Sequence, residues 1–209
     1  MLQKISTTAL SPTRMVKYYL SLFLSLTSIG WIWRGQLDLA MMAFILSGIC
    51  DLFDGLFANS FQRTEAEKAF GLELDSLCDV INFAALPAIL IIKTIPFQWL
   101  SWPLTLIFCF SAITRLAYFN RNAKSDDGRD PYFTGVPVTY SALVFPVFYV
   151  LCQLLNPSFF SMGLPLLAML MAFLFVWNIR IPKPNKVAYI GFVLAASLTI
   201  FILVSFLLW

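Results

Sequence analysis

Residues 51–79 read DLFDGLFANSFQRTEAEKAFGLELDSLCD. Asp51, Asp54, Asp75 and Asp79 stand inside or at the ends of two long apolar runs, where an ionised side chain is costly unless something pairs with it. The first two acids are three residues apart and the second two are four apart, so on helices each pair projects from one face. Two such faces brought together make a carboxylate cluster, whose charges repel unless protons or cations intervene. An all-oxygen ligand set suits hard divalent ions such as Mg²⁺, Mn²⁺ or Ca²⁺, and the chain contains no histidine. Gly55 beside Asp54, Ala58 one turn beyond it and Gly71 one turn before Asp75 remove bulk next to the acids, as close approach of a ligand requires. Two solvated helix ends do not need four acids and three small residues in register.

Outward from this stretch, the composition is that of a membrane protein. Of 209 residues, 60% are hydrophobic and 12% charged, which excludes an ordinary soluble domain. Apolar runs long enough to cross a bilayer core of about 30 Å lie near residues 15–33, 37–59, 71–95, 97–119, 135–156, 159–179 and 187–208. An all-α integral membrane protein of about seven transmembrane helices is therefore expected, its third and fourth spans forming a tight hairpin. Pro87, Pro103, Pro146 and Pro165 fall inside spans, where proline kinks are tolerated and open cavities between helices. No internal repeat or long linker divides the chain, so residues 1–209 are read as one domain.

Lys and Arg set the orientation. Lys4 and Arg14 precede the first apolar run, which ends in GWIWRG without a small-residue cleavage site and so reads as a retained helix. With the N-terminus inside, the cytoplasmic segments collect Lys4, Arg14, Lys17, Arg63, Lys68, Arg115, Arg121, Lys124, Arg129, Arg180, Lys183 and Lys186, leaving only Arg34 and Lys93 outside. That twelve-to-two division of the 14 basic residues follows the positive-inside rule. It puts all four acids at the cytoplasmic face. Basic residues gathered there attract anionic head groups and a charged nucleotide; membrane lipids are expected partners, and nucleic acid is not. Cys50, Cys78, Cys109 and Cys152 lie in the spans without paired ligand spacing and read as small buried thiols.

The pattern D-x2-D-G-x2-A, a short loop, then G-x3-D-x3-D resembles the signature of the CDP-alcohol phosphotransferases, integral-membrane enzymes of phospholipid head-group synthesis. GLELDSLCDVINFAALPA at 71–88, RLAYFN at 115–120 and YFTGVP at 132–137 resemble one branch, the CDP-diacylglycerol–serine O-phosphatidyltransferases. The resemblance spans about residues 45–140. It implies that six of the helices form the family core and that the chain is a homodimer. It further implies two divalent ions, Mg²⁺ or Mn²⁺, held by Asp51, Asp54, Asp75 and Asp79, with Asp79 also the general base. Asp51, Asp54, Gly55, Ala58, Gly71 and Asp75 would bind the nucleotide, and Arg115, Arg63, Lys68 and Arg121 the substrate or its phosphate. Two positions depart from the family pattern: Asn59 and Tyr118 stand where relatives carry arginine. Arg63 or Lys68 would supply the cation missing at Asn59.

The chemistry asks for the same groups. Attack on a pyrophosphate needs charge neutralised on its oxygens, which carboxylate-held divalent ions achieve. The attacking alcohol must also lose its proton, and without histidine a carboxylate beside the ions is the natural acceptor. The expected reaction is transfer of a phosphatidyl group from CDP-diacylglycerol to L-serine with release of CMP. The alternatives are the same chemistry with glycerol 3-phosphate or an inositol phosphate, which would draw on Arg115, Arg121, Lys124 and Arg129; a cation transporter lined by the acids; and a catalytically silent homologue.

Overall fold

The computed structural model describes residues 12–57, 64–125, 132–182 and 186–208. Helices α1 (Pro12–Trp33) and α2 (Leu37–Phe57) form an antiparallel hairpin. The turn between them ends α1 in a Schellman arrangement: the Gly35 N–H donates to the Ile32 carbonyl at 3.1 Å and the Gln36 N–H to the Trp31 carbonyl at 3.0 Å. That geometry needs a left-handed residue, and Gly35 supplies it with φ 74°.

The third crossing is α3 (Glu65–Asp79), one π-helical turn (Val80–Ala85) and α4 (Leu86–Thr94) in continuous succession. A capping box starts α3: the Glu67 N–H donates to Thr64 Oγ1 at 3.3 Å and the Thr64 N–H to Glu67 Oε2 at 3.0 Å, satisfying donors that a helix start leaves open. The helix thus begins at Glu65, six residues ahead of the apolar run read from the sequence. The π turn closes with Leu86 N–H on the Ile81 carbonyl and ends two residues before Pro87, whose missing N–H and bulky ring fit a regular α turn poorly.

After the short connection Ile95–Phe97 comes α5 (Gln98–Ser125), giving the tight hairpin expected of the third and fourth spans. The last three helices are α6 (Ser141–Leu155), α7 (Ser158–Val176) and α8 (Lys186–Leu208). Five helical stretches among the described residues are long and apolar enough to cross a membrane: Ala69–Thr94, Gln98–Arg121, Val138–Leu155, Ser158–Val176 and Ala188–Leu208. With α1 and α2 they make the seven-helix, all-α membrane architecture that composition predicted.

Entry into α6 runs through a short two-stranded ribbon. Strand β1 (Tyr132–Thr134) pairs antiparallel with β2 (Arg180–Pro182), Phe133 opposite Ile181. Gly135, at φ 79°, then turns the chain into a 3₁₀ turn (Val138–Tyr140). The ribbon joins the α5–α6 connection to the α7–α8 connection, so these two loops at one end of the bundle are tied together.

The core holds large apolar side chains from most crossings, among them Phe44, Phe83, Leu90, Phe108, Phe145 and Phe175, all essentially inaccessible. Phe108 meets Phe145 and Phe175 edge-on, with centroids 5.8 and 5.6 Å apart, a favoured aromatic geometry. Where α2 crosses α6, a Cβ on Gly48 would overlap the Cβ of Ala142. Outward, Leu194, Leu198 and Phe201 of α8 and Leu166 of α7 are well exposed, as lipid-facing positions require.

Candidate active site

Chain alternation brings the ends of α2, α5 and α7 and the starts of α3, α6 and α8 to one end of the bundle, where the polar residues converge. Asp51 sits in the last two turns of α2, Asp75 and Asp79 on α3. One carboxylate oxygen from each lies within 4.8 Å of the others. Asp79 is almost fully buried at 9% exposure. Three convergent carboxylates, all oxygen and drawn from two helices, fit a hard divalent cation.

These acids form one wall of a cavity of about 220 Å³, completed by Arg115, Leu116 and Phe119 of α5, Pro137 to Tyr140 of the 3₁₀ turn and Tyr189 of α8. Arg115 is 5% exposed. Its Nε donates to the Val136 carbonyl at 3.2 Å and its Nη2 to the Gly135 carbonyl at 3.3 Å, and its guanidinium carbon stands 5.9 Å from the centre of the Phe119 ring. A guanidinium has five N–H donors, so two backbone bonds hold it while others remain for a ligand.

Gly135 makes that arrangement possible. A Cβ there would stand 3.0 Å from the Phe175 carbonyl and 3.3 Å from Arg115 Nε. The Gly135 N–H also donates to the Ile179 carbonyl at 2.7 Å, pinning the loop to the connection that follows α7. On its other side Arg115 borders a second cavity of about 290 Å³, lined by Thr114, Tyr118 and Phe175 to Asn178. Arg115 is therefore a partition between two cavities.

The other residues singled out from the sequence fall in different places. Gly71 is buried on α3. Asp54 and Gly55 lie in the last turn of α2 and Lys68 in the first turns of α3, but their side-chain surroundings are outside the described residues, as are Ala58 and Arg63 altogether. Arg121 is exposed on α5 and does not line either cavity. It is the last residue of the membrane-crossing stretch of α5.

Several contributors were not singled out from the sequence. Asn120 Nδ2 donates to Ser76 Oγ at 2.6 Å, and Ser76 Oγ donates to the Leu72 carbonyl at 2.9 Å; this ties α5 to α3 between Asp75 and Asp79. Tyr140 and Tyr189 add phenol groups to the acid cavity. Tyr189 lies over 100 residues beyond Asp79 in the chain, on a helix that reads as a featureless apolar span, so no local signal marks it. Cys78 and Cys152 are buried as expected of small core thiols, whereas Cys50 and Cys109 are only half-buried.

Comparison with known proteins bears on this geometry. The family model described as CDP-alcohol phosphatidyltransferase matches residues 10–177. A CDP-diacylglycerol–serine O-phosphatidyltransferase of Methanocaldococcus jannaschii is 32% identical over 168 residues, covering 79% of this chain and 77% of the relative. One of the same name from Helicobacter pylori is 31% identical over 197 residues, 88% of this chain and 74% of that protein. An archaetidylserine synthase of Methanothermobacter thermautotrophicus is 32% identical over 133 residues, 63% and 52% respectively. The matched region takes in all three clustered aspartates and Arg115, and the chain belongs to the CDP-alcohol phosphatidyltransferase family.

Proposed function

We propose that this protein transfers the phosphatidyl group of CDP-diacylglycerol to L-serine and releases CMP. The serine hydroxyl oxygen attacks the phosphorus on the diacylglycerol side of the pyrophosphate. The bond from that phosphorus to the bridging oxygen breaks, its electron pair leaves with CMP, and the hydroxyl proton passes to the Asp79 carboxylate. Asp51, Asp54, Asp75 and Asp79 would hold two divalent ions, Mg²⁺ or Mn²⁺, which when bound would neutralise charge on the phosphate oxygens. Asp51, Asp54, Gly55, Ala58, Gly71 and Asp75 form the nucleotide side. Arg115, pre-set by its two backbone carbonyls, receives the serine carboxylate.

The observation that carries this reading is the acid cavity with Arg115 as its one cationic lining residue among the described residues. A single guanidinium matches the single carboxylate of serine. The names of the relatives agree with serine as the acceptor. Arg63 and Lys68 remain in the proposal as contacts to the substrate phosphates. The basic-residue distribution supports a cytoplasmic active site with the N-terminus inside, in one domain. A homodimer with one site per protomer rests on the family resemblance.

The test is CMP release from CDP-diacylglycerol by purified protein with Mn²⁺ or Mg²⁺, comparing L-serine, glycerol 3-phosphate and no acceptor. Serine-dependent release that Asp79→Asn lowers by about 10²–10⁴-fold is the expected result. Release with glycerol 3-phosphate and none with serine would sink the acceptor assignment and leave the chemistry. No release with any acceptor from folded protein would sink the chemistry.

A further inference from the structure

One turn below the carboxylates lies a buried polar chain that the reaction does not use. Ser47 of α2 precedes Asp51 by four residues, and Asn82 of the π turn comes three after Asp79. Ser21 of α1 connects them. Asn82 Nδ2 donates to Ser21 Oγ at 2.9 Å. Ser21 Oγ lies 3.1 Å from both the carbonyl and the hydroxyl of Ser47, and Ser47 Oγ lies 3.1 Å from the Ser21 carbonyl. Ser25 Oγ, 2.7 Å from Ser47 Oγ, completes the group. Asn82, Ser25 and Ser47 are 0% exposed and Ser21 3%.

Stability alone does not account for Asn82. Its Oδ1 is buried without a hydrogen-bond partner among the described residues, a condition that costs stability and calls for another explanation. The π turn offers one. In an uninterrupted α-helix, residues three apart share a face, so Asp79 and Asn82 would both look into the acid cavity. Asn82 lies inside the wider π turn, which increases its angular separation from Asp79 beyond that of an α-helix. Asp79 lines the cavity while Asn82 is buried against α1. The acid-bearing helices are thus joined through Ser21 at a level one turn from the charges, where three carboxylates would otherwise push them apart.

We infer that Asn82 is a positioning residue: the Asn82–Ser21–Ser47 chain, made possible by the π turn, fixes the spacing of Asp79 against Asp51 and so sets the affinity for divalent metal. This rests on the reading that the aspartates hold divalent ions. Its physical basis is the dependence of metal ligands on the partners that orient them.

Mn²⁺ binding to the purified full-length protein, measured by the electron paramagnetic resonance signal of free Mn²⁺, tests it without reference to turnover. The set comprises wild type, Asn82→Ala, Ser21→Ala, Asp75→Asn and Ser28→Ala. Ser28 is an apt control: it is 0% exposed and its hydroxyl donates to the Ala40 carbonyl at 2.7 Å, an equally buried α1–α2 bond toward the opposite end of the hairpin. Asn82→Ala and Ser21→Ala should weaken Mn²⁺ binding roughly tenfold, with Ser28→Ala staying within about twofold even if all three lower the unfolding temperature alike. If Asn82→Ala does not fold, Ser21→Ala decides alone. Wild-type affinity in the folded Asn82 and Ser21 variants, with binding lost in Asp75→Asn, overturns the positioning role and leaves the metal reading intact. Equal weakening by Ser28→Ala also overturns it, by reducing the effect to general loosening. No binding by wild type removes the metal reading and this inference with it.

Discussion

Arg115 illustrates how one residue serves both fold and site. Its bonds to the Gly135 and Val136 carbonyls hold the α5 end to the loop before α6, and the same guanidinium lines the acid cavity. A lysine keeps the charge but not the planar fork that meets two carbonyls and a carboxylate together. Arg115→Lys should therefore raise the KM for serine by roughly ten- to a hundredfold, the equivalent of losing one charged hydrogen bond of about 1.5–3 kcal/mol. The KM for CDP-diacylglycerol should change much less. Steady-state kinetics with each substrate varied in turn checks this; equal increases in both KM values would mean that Arg115 acts on the lipid phosphate or on the fold.

Among the elements, the α2–α6 crossing decides where Asp51 stands. Gly48 precedes Asp51 by three residues and leaves no room for a Cβ against Ala142. Gly48→Ala should force the helices apart at a cost of about 1–3 kcal/mol, seen as a lowered unfolding temperature in detergent. Because α2 carries Asp51, the Mn²⁺ requirement for turnover should rise as well. An unchanged melting temperature would show that the crossing relaxes without strain. The helix hydrophobicity that gives α2 away in the sequence does not foretell this, since the partner Ala142 is 94 residues distant (142 − 48).

For the molecule as a whole, the distribution of Lys and Arg predicts which end faces the cytoplasm. On a background with the four native cysteines replaced, a cysteine at Gln36, in the α1–α2 turn, should react with an impermeant maleimide in intact cells. One at Thr64, the cap of α3, should react only after permeabilisation. The reverse pattern would put the acid cavity outside and overturn this orientation. The transporter alternative loses ground at this scale. The carboxylates cluster at one end of the bundle with Arg115 beside them, whereas transported ions bind near the midplane, and the chain belongs to a transferase family.

Composition and short spacing alone carried the seven apolar helices, the tight hairpin at Ile95–Phe97 and the shared helix face of Asp75 and Asp79. Local periodicity suffices there, because residues three or four apart share a helix face whatever surrounds them. Tertiary structure decided the rest. The β1–β2 ribbon joins segments about 48 residues apart, and neither three-residue strand has a pattern strong enough to announce itself. The π turn after Asp79 looks like ordinary helix in sequence. The phenol of Tyr189 and the carbonyls that hold Arg115 reach the cavity from chain segments remote from the aspartates. Such contacts arise from how helices cross and loops dock, and a linear pattern holds no record of which distant backbone will meet a given side chain.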